Sequence, residues 1–166
     1  MLLEEGVRLR NCSINVCGNN GVLHIRANTY VENQKFYFED NGCEISIGER
    51  CVFNGGEFAA VEDGCRIIIG DNCLFSRDIH IVTTDSHSIL DKSTGERINL
   101  GQDVEIGNHV WLAAGVNLLK GSKIPNECVV GRNAVITKKF EKENCIIAGC
   151  PGMCVKENVE WKEERI

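Results

Sequence analysis

Three stretches of this chain lie twenty-two residues apart and read as copies of one another: GVLHIRANTYVEN from Gly21, CEISIGERCVFNG from Cys43 and CRIIIGDNCLFSR from Cys65. Farther on the period tightens, and Ile106, Leu112, Leu118, Ile124, Val130 and Ile136 follow one another at steps of six. A six-residue period is the mark of a parallel β-helix, in which a single hexad cannot bury its apolar face and must stack on its neighbours. No 3.6-residue stripe runs through these segments, and their β-branched residues and frequent Gly argue further against helix.

The residue four places after each aliphatic also points inward, which makes a second column of Cys51, Cys73, Val110, Val116, Cys128 and Ala134, all small or branched. Three hexads close one triangular coil, so residues eighteen apart stack at about the 4.8 Å spacing of neighbouring strands. The twenty-two-residue copies then read as one coil plus a four-residue bulge at a corner, placed at Asn19-Asn20, Asn41-Gly42 and Asp63-Gly64. Asn, Asp and Gly suit these places because they tolerate positive φ.

Coils are therefore expected from about Gly21 to Thr84 and from Asp103 to Ile136, finishing near Ala148. Residues up to about Asn19 are left as a leading segment of unassigned structure. Between the two runs lies SHSILDKSTGERINLG, an excursion over about 86–102 that breaks the hexad. A polar loop of this length in a solenoid is usually functional. After Pro151 the tail, about 152–166, is expected to form a short amphipathic helix with Val155, Val159 and Trp161 turned partly to the coil, capping it.

A chain of 166 residues with 43% hydrophobic content fits one domain, 1–166. It shows no apolar run long enough to span a bilayer and no basic, apolar leader, so a soluble cytoplasmic protein is expected. A net charge of −6, with no basic run interleaved with aromatics, argues against nucleic acid and against an anionic membrane surface. The ten cysteines contain no C-x-x-C pair, which speaks against a zinc site. Stacking puts Cys51 beside Cys73 and Cys43 beside Cys65, within reach of a bridge. In a reducing cytosol they are expected to be free thiols packed as small hydrophobes.

Four segments, TTDSHSI from Thr83, IGNHVWLAAGV from Ile106, GRNAVITK from Gly131 and AGCPGMCVK from Ala148, resemble in order and spacing the hexapeptide-repeat O-acetyltransferases of the galactoside, maltose and capsular-polysaccharide type. The resemblance covers about Ile45 to Lys156. It implies an all-β fold, a single-stranded left-handed parallel β-helix with an extruded loop. It implies a homotrimer that binds acetyl-CoA as co-substrate in clefts between subunits. The activity implied is acetyl transfer to a hydroxyl of a sugar or saccharide precursor, with no metal.

The resemblance makes His87 the catalytic residue, and the chemistry agrees. Attack of a hydroxyl on a thioester needs a base, and an imidazole, which ordinarily titrates at about 6.5, suits neutral pH. Asp85, two residues earlier, either orients that ring or accepts a loop hydrogen bond. Asn54 and Asp63 match acceptor-binding positions, and equally suit ordinary corner chemistry. For the cofactor the resemblance points to Ala114, whose backbone N–H is a candidate oxyanion donor, and to Arg132, Thr137, Lys138 and Lys156. Met153 stands where the family has another basic residue. Arg132 departs from the usual small residue; it either pairs with a CoA phosphate or crowds the pantetheine arm. Trp111 is expected outward, covered by a subunit interface, by the cofactor cleft or by the excursion. His24, His80 and His109 read as outward surface residues. Zinc held by His80, His87 and His109 is a lesser reading, and a catalytically silent trimeric scaffold or sugar-binding module is the alternative function.

Overall fold

The computed structural model describes residues Met1–Ile166. The chain winds into a three-sided prism whose faces are three sheets of parallel strands, with successive coils supplying successive strands of each. The first sheet carries Val22–Ile25, Glu44–Ile47 and Arg66–Ile69, the second Tyr30–Glu32, Val52–Phe53 and Leu74–Phe75, and the third Gln34–Glu39, Gly56–Val61 and Ile79–Val82. Before the excursion the register steps by twenty-two, as in Val22↔Glu44 and Glu44↔Arg66. Across it the step is thirty-seven, Ile67↔Val104. Beyond it the step is eighteen, Glu105↔Lys123 and Trp111↔Val129.

Both inward columns are where the period put them: Ile106, Leu112, Leu118, Ile124, Val130 and Ile136, and the column running from Cys51 to Ala134, are all at most 3% exposed. The wider twenty-two-residue coils are filled by rings. Phe58 packs edge-on against Phe36, Phe53 and Phe75, with centroids 5.9, 5.8 and 6.2 Å away. Aliphatic residues fill the tighter coils that follow.

The corner bulges fall at the expected residues. Asn20, Gly42 and Gly64 have φ of 58, 68 and 73°. Asn19 Nδ2 donates to Asn41 Oδ1 (3.0 Å), and the Asn41 N–H donates to Asp63 Oδ1 (2.8 Å). The backbones of successive corners are bonded as well, the Gly42 N–H donating to the Asn19 carbonyl (2.9 Å) and the Gly64 N–H to that of Asn41 (2.8 Å).

The cysteine column has a related logic. Cys51 Sγ donates to the Gly70 carbonyl and Cys73 Sγ to that of Gly107, both at 3.2 Å. One coil earlier Thr29 does the same with its hydroxyl, to the Gly48 carbonyl at 2.9 Å. All ten thiols are free. Burial pushes those of Cys43, Cys65 and Cys128 up, away from the reactive thiolate form.

Two expectations need correction. The leading segment is a coil of its own: Leu2–Leu3, Arg8–Arg10 and Ser13–Val16 each pair in parallel with the coil above. The tail holds no helix. Met153–Glu157 is a strand paired antiparallel with Cys145–Ala148. The open edge of the last coil offers unpaired backbone groups, and pairing with them outweighs the i, i+4 spacing of Val155 and Val159. Beyond that strand the tail runs back over a corner. The Val159 N–H donates to the Asn144 carbonyl (3.0 Å), and Trp161 Nε1 donates to that of His109 (2.9 Å).

Candidate functional site

The excursion leaves the third sheet after strand Ile79–Val82 and returns at strand Val104–Ile106. It is a hairpin: Leu90 and Arg97 form an antiparallel bridge, and the Ile98 N–H donates to the Ile89 carbonyl at 2.9 Å. Its tip is tied by Asp91, whose carboxylate accepts from the backbone of Ser93 and Thr94. Ile89, Leu90, Ile98 and Leu100 are 53–64% exposed on it.

His87 sits on the outgoing stem. Its main chain is held on both sides: the N–H donates to the Asp85 carbonyl (2.8 Å) and the carbonyl accepts from Asn99 Nδ2 (2.8 Å). The ring is exposed and is absent from every hydrogen bond and ion pair the chain makes. Asp85 does not bond to that ring: the sheet ends at Val82, and Ser86 turns the chain between them with φ 66°. The Asp85 carboxylate instead meets Lys120 Nζ and accepts from Asn99 Nδ2 at 2.9 Å. Those bonds, Lys120 first, hold it below the ordinary carboxylate range.

Behind the stem stands Glu62. Its carboxylate takes Arg97, the Thr84 hydroxyl and the Gly101 N–H. Burial alone would raise this carboxyl, but the three hydrogen bonds outweigh it and hold it down at about 2. The group is thus more acidic folded than unfolded, where 4.5 is ordinary. The sign follows: its contribution to stability is full above about pH 4.5 and is lost as pH falls through about 2. Amide exchange over residues 86–101 is therefore expected to accelerate as pH is lowered across that window once the intrinsic acid dependence is divided out. In Glu62→Gln the hairpin should already be loosened at neutral pH, with no such step.

Between the hairpin and the third sheet lies a groove of about 380 Å³, lined among others by Tyr37, Glu57, Thr84, Ser86, Ser88 and Arg97. Ser86 and Ser88 line it, whereas His87 between them does not. A larger hollow of about 590 Å³ lies on the first sheet around Lys123 and Glu141; it holds no histidine and lies away from the hairpin.

A second group of residues gathers at the corner between the second and third sheets. Arg77, Ala114 and Arg132 occupy equivalent places on successive coils, as the registers His80↔Asn117 and Asn117↔Val135 require. The Ala114 carbonyl accepts from the Asn133 N–H at 3.0 Å, while its own N–H donates to nothing in the chain. Gly115 beside it has φ 76°, in the left-handed region that favours glycine, and a Cβ there would lie 2.2 Å from Asn133 Oδ1. Arg132 is exposed and points away from the core. Thr137 and Lys138 are not at this corner: they follow strand Val135–Ile136 and stack one coil beyond Leu119 and Lys120, at the other edge of the sheet. There Lys138 Nζ rests 3.4 Å from Met153 Sδ, and Lys156 lies three residues on from Met153 in the tail strand.

A polysialic acid O-acetyltransferase of Neisseria meningitidis is 41% identical to this chain over 160 residues, 96% of this chain and 73% of the relative. This chain belongs to the hexapeptide-repeat O-acetyltransferases. Among solved structures, the polysialic acid O-acetyltransferase OatWY superimposes with a TM-score of 0.74 at 29% identity, covering 100% of this chain and 93% of the other. The polySia-specific acetyltransferase NeuO shares the fold with a TM-score of 0.74 at 23% identity, covering 96% and 90%. No protein-family model matches the chain. As a member of these acyltransferases the chain is an enzyme, which leaves the silent-scaffold alternative without support, and its fold is the left-handed parallel β-helix of about six turns.

Against this hexapeptide-repeat frame the remaining residues sort by corner. Asn54 and Asp63 are on different edges of the third sheet and both do corner work: Asn54 Nδ2 donates to the Phe75 carbonyl (3.3 Å), and Asp63 accepts from Asn41. Trp111 does face outward, 37% exposed. Its cover is the tail rather than the excursion, through Trp161 at 5.9 Å. Trp161 itself stacks on His109, at 4.2 Å and 12°. His109 also meets Glu127, so its ring is committed at a corner remote from the hairpin. His80 faces outward on the third sheet, and His24 pairs with Glu4 at 2.9 Å.

Sequence reasoning missed Glu62, Arg97, Asn99, Lys120 and Arg77. The first four meet across sequence separations of 35 and 21 residues, Arg97 to Glu62 and Lys120 to Asn99, which no fixed spacing announces. Arg77 carried a signal, since it closes the third twenty-two-residue copy.

Proposed function

We propose that this enzyme transfers an acetyl group from acetyl-CoA directly to a saccharide hydroxyl, with His87 as general base, at a site completed between neighbouring copies of a homotrimer. The observation that carries this reading is the pairing of two unused groups: an exposed imidazole on a fixed main chain, and an Ala114 N–H with no acceptor. They lie at opposite edges of one sheet. Ala114 precedes strand Asn117–Leu118 and Lys120, which grips the hairpin stem, follows it. Six residues separate Ala114 from Lys120, a span of at most roughly 20 Å. One copy does not bring base and oxyanion donor together, whereas cyclic packing sets one edge of a copy against the other edge of the next. The apolar side chains on the hairpin favour the same association.

The steps follow from these groups. The acceptor hydroxyl is presented to the exposed imidazole of His87, with Asp85, Asn54 and Asp63 as polar residues of the acceptor region. Its oxygen attacks the thioester carbonyl while His87 takes its proton. The Ala114 N–H of the adjoining copy holds the developing oxyanion. Collapse expels the CoA thiolate, which recovers the proton from the imidazolium, leaving the acetyl ester. No cysteine is required, because the thioester is already activated.

Acetyl-CoA runs along the Ala114 corner, with Trp111 beside the arm and Arg132, Thr137, Lys138 and Lys156 toward the phosphates. Arg132→Ala is expected to weaken CoA binding by about tenfold or more, since a charge-assisted hydrogen bond contributes about 1.5–3 kcal/mol. Calorimetry with CoA measures this; tighter binding by the variant would show that the guanidinium crowds the arm. Residues 1–166 act as one catalytic domain, and dependence on acetyl-CoA supports a cytoplasmic location.

The acceptor is tested by following CoA release from acetyl-CoA with a panel of neutral, amino and sialylated saccharides, polysialic acid among them. Release that depends on one acceptor identifies it. Absence of release with every saccharide, together with no binding of CoA, overturns the proposal.

A further inference from the structure

Asn99 is 7% exposed, and each polar atom of its side chain is used twice. Oδ1 accepts from the Ile89 N–H (2.7 Å) and from Arg97 Nε (3.2 Å). Nδ2 donates to Asp85 Oδ2 (2.9 Å) and to the His87 carbonyl (2.8 Å). One amide therefore grips the outgoing stem before, at and after the histidine. Its own main chain is anchored in turn, because the Asn99 carbonyl accepts from Lys120 Nζ at 2.8 Å and from Arg97. Lys120 belongs to the neighbouring coil and Arg97 is braced by Glu62 of the coil before. The hairpin hangs from the rigid prism on both sides, and Asn99 is where both anchors meet.

We propose that Asn99 is a positioning residue: its side-chain amide fixes the main chain of His87, and thereby the place from which the imidazole reaches the acceptor hydroxyl. The inference rests on His87 being the general base. The residue touches no reacting atom. It acts by removing freedom from a segment that exposes a polar loop and four apolar side chains to solvent. Alanine leaves the His87 carbonyl and the Ile89 N–H without partners and Asp85 with Lys120 alone. A ring displaced by about 1 Å costs on the order of 10² in rate.

The test is a double-mutant cycle in turnover with acetyl-CoA and an accepted saccharide, on Asn99→Ala, His87→Ala and the pair. Asn99→Ala is expected to lose about 10²-fold in kcat with the KM for acetyl-CoA changed less than about twofold. Added to His87→Ala it should cost nothing further, because there is no imidazole left to misplace. Asn99→Asp loses both donations and sets a carboxylate against that of Asp85 and against the His87 carbonyl. It is therefore expected to lose at least as much kcat as the alanine variant, with the melting temperature of both variants read to confirm that the prism stays folded. Wild-type kcat in Asn99→Ala, with His87→Ala inactive, overturns the positioning role and leaves the base assignment standing. An equal further loss in the pair overturns it too, because the effect would then not run through His87. Full activity in His87→Ala removes the reading on which both depend.

Discussion

His87→Ala is expected to lose at least about 10²-fold, and up to about 10⁴-fold, in turnover, the range that a positioned general base supplies. Acetyl-CoA affinity should stay nearly unchanged, because Ala114 and Arg132 lie at the opposite edge of the third sheet and Thr137 and Lys138 sit a coil beyond the stem. The fold should be indifferent as well. The ring contributes no hydrogen bond within the chain, and the stem is held through backbone atoms that alanine keeps. Steady-state kinetics and CoA calorimetry on the same preparation separate the two effects. Unchanged turnover would remove the base assignment; lost turnover with lost CoA binding would move His87 into the cofactor site instead.

Phe58→Ala is expected to be among the most destabilising single changes, by about 3–5 kcal/mol. The ring is fully buried and is the one that touches Phe36, Phe53 and Phe75 together. Strands on either side are locked in register by their ladders, so the walls cannot collapse into the space left behind. For a chain of this length each kcal/mol moves the melting temperature by about 2–4 °C, which predicts a drop on the order of 10 °C. A scanning melt measures it, and a shift of only a degree or two would mean that the coil closes around the gap. The expected loss also exceeds that of any outward residue on the same strand, such as Glu57, whose side chain faces solvent.

Much of the prism was legible from order along the chain. The columns from Ile106 to Ile136 and from Cys51 to Ala134, and the bulges at Asn20, Gly42 and Gly64, follow from local chemistry repeated at a fixed step. Residues that recur at the stacking period must meet, whatever the details. His87 was visible in the same way, as a polar residue placed where the period breaks and framed by segments with a family resemblance. The tail was misread because Val155 and Val159 carry a helical spacing, while the edge of strand Cys145–Ala148 that captures the segment is not encoded near it.

What sequence alone determined is the period, hence three sheets, the core columns and the position of the excursion between two coils. Only the tertiary structure decided what holds the excursion: Glu62, Arg97, Asn99 and Lys120 converge because a closed coil brings distant corners together. It likewise decided that Asp85 serves Lys120 and Asn99 rather than the imidazole, and that Trp111 is sheltered by Trp161. The physical reason is one of range. Repetition is a local rule that each hexad states again, whereas a hydrogen bond between a corner and a loop depends on where the loop's return path lands, and no single segment carries that information.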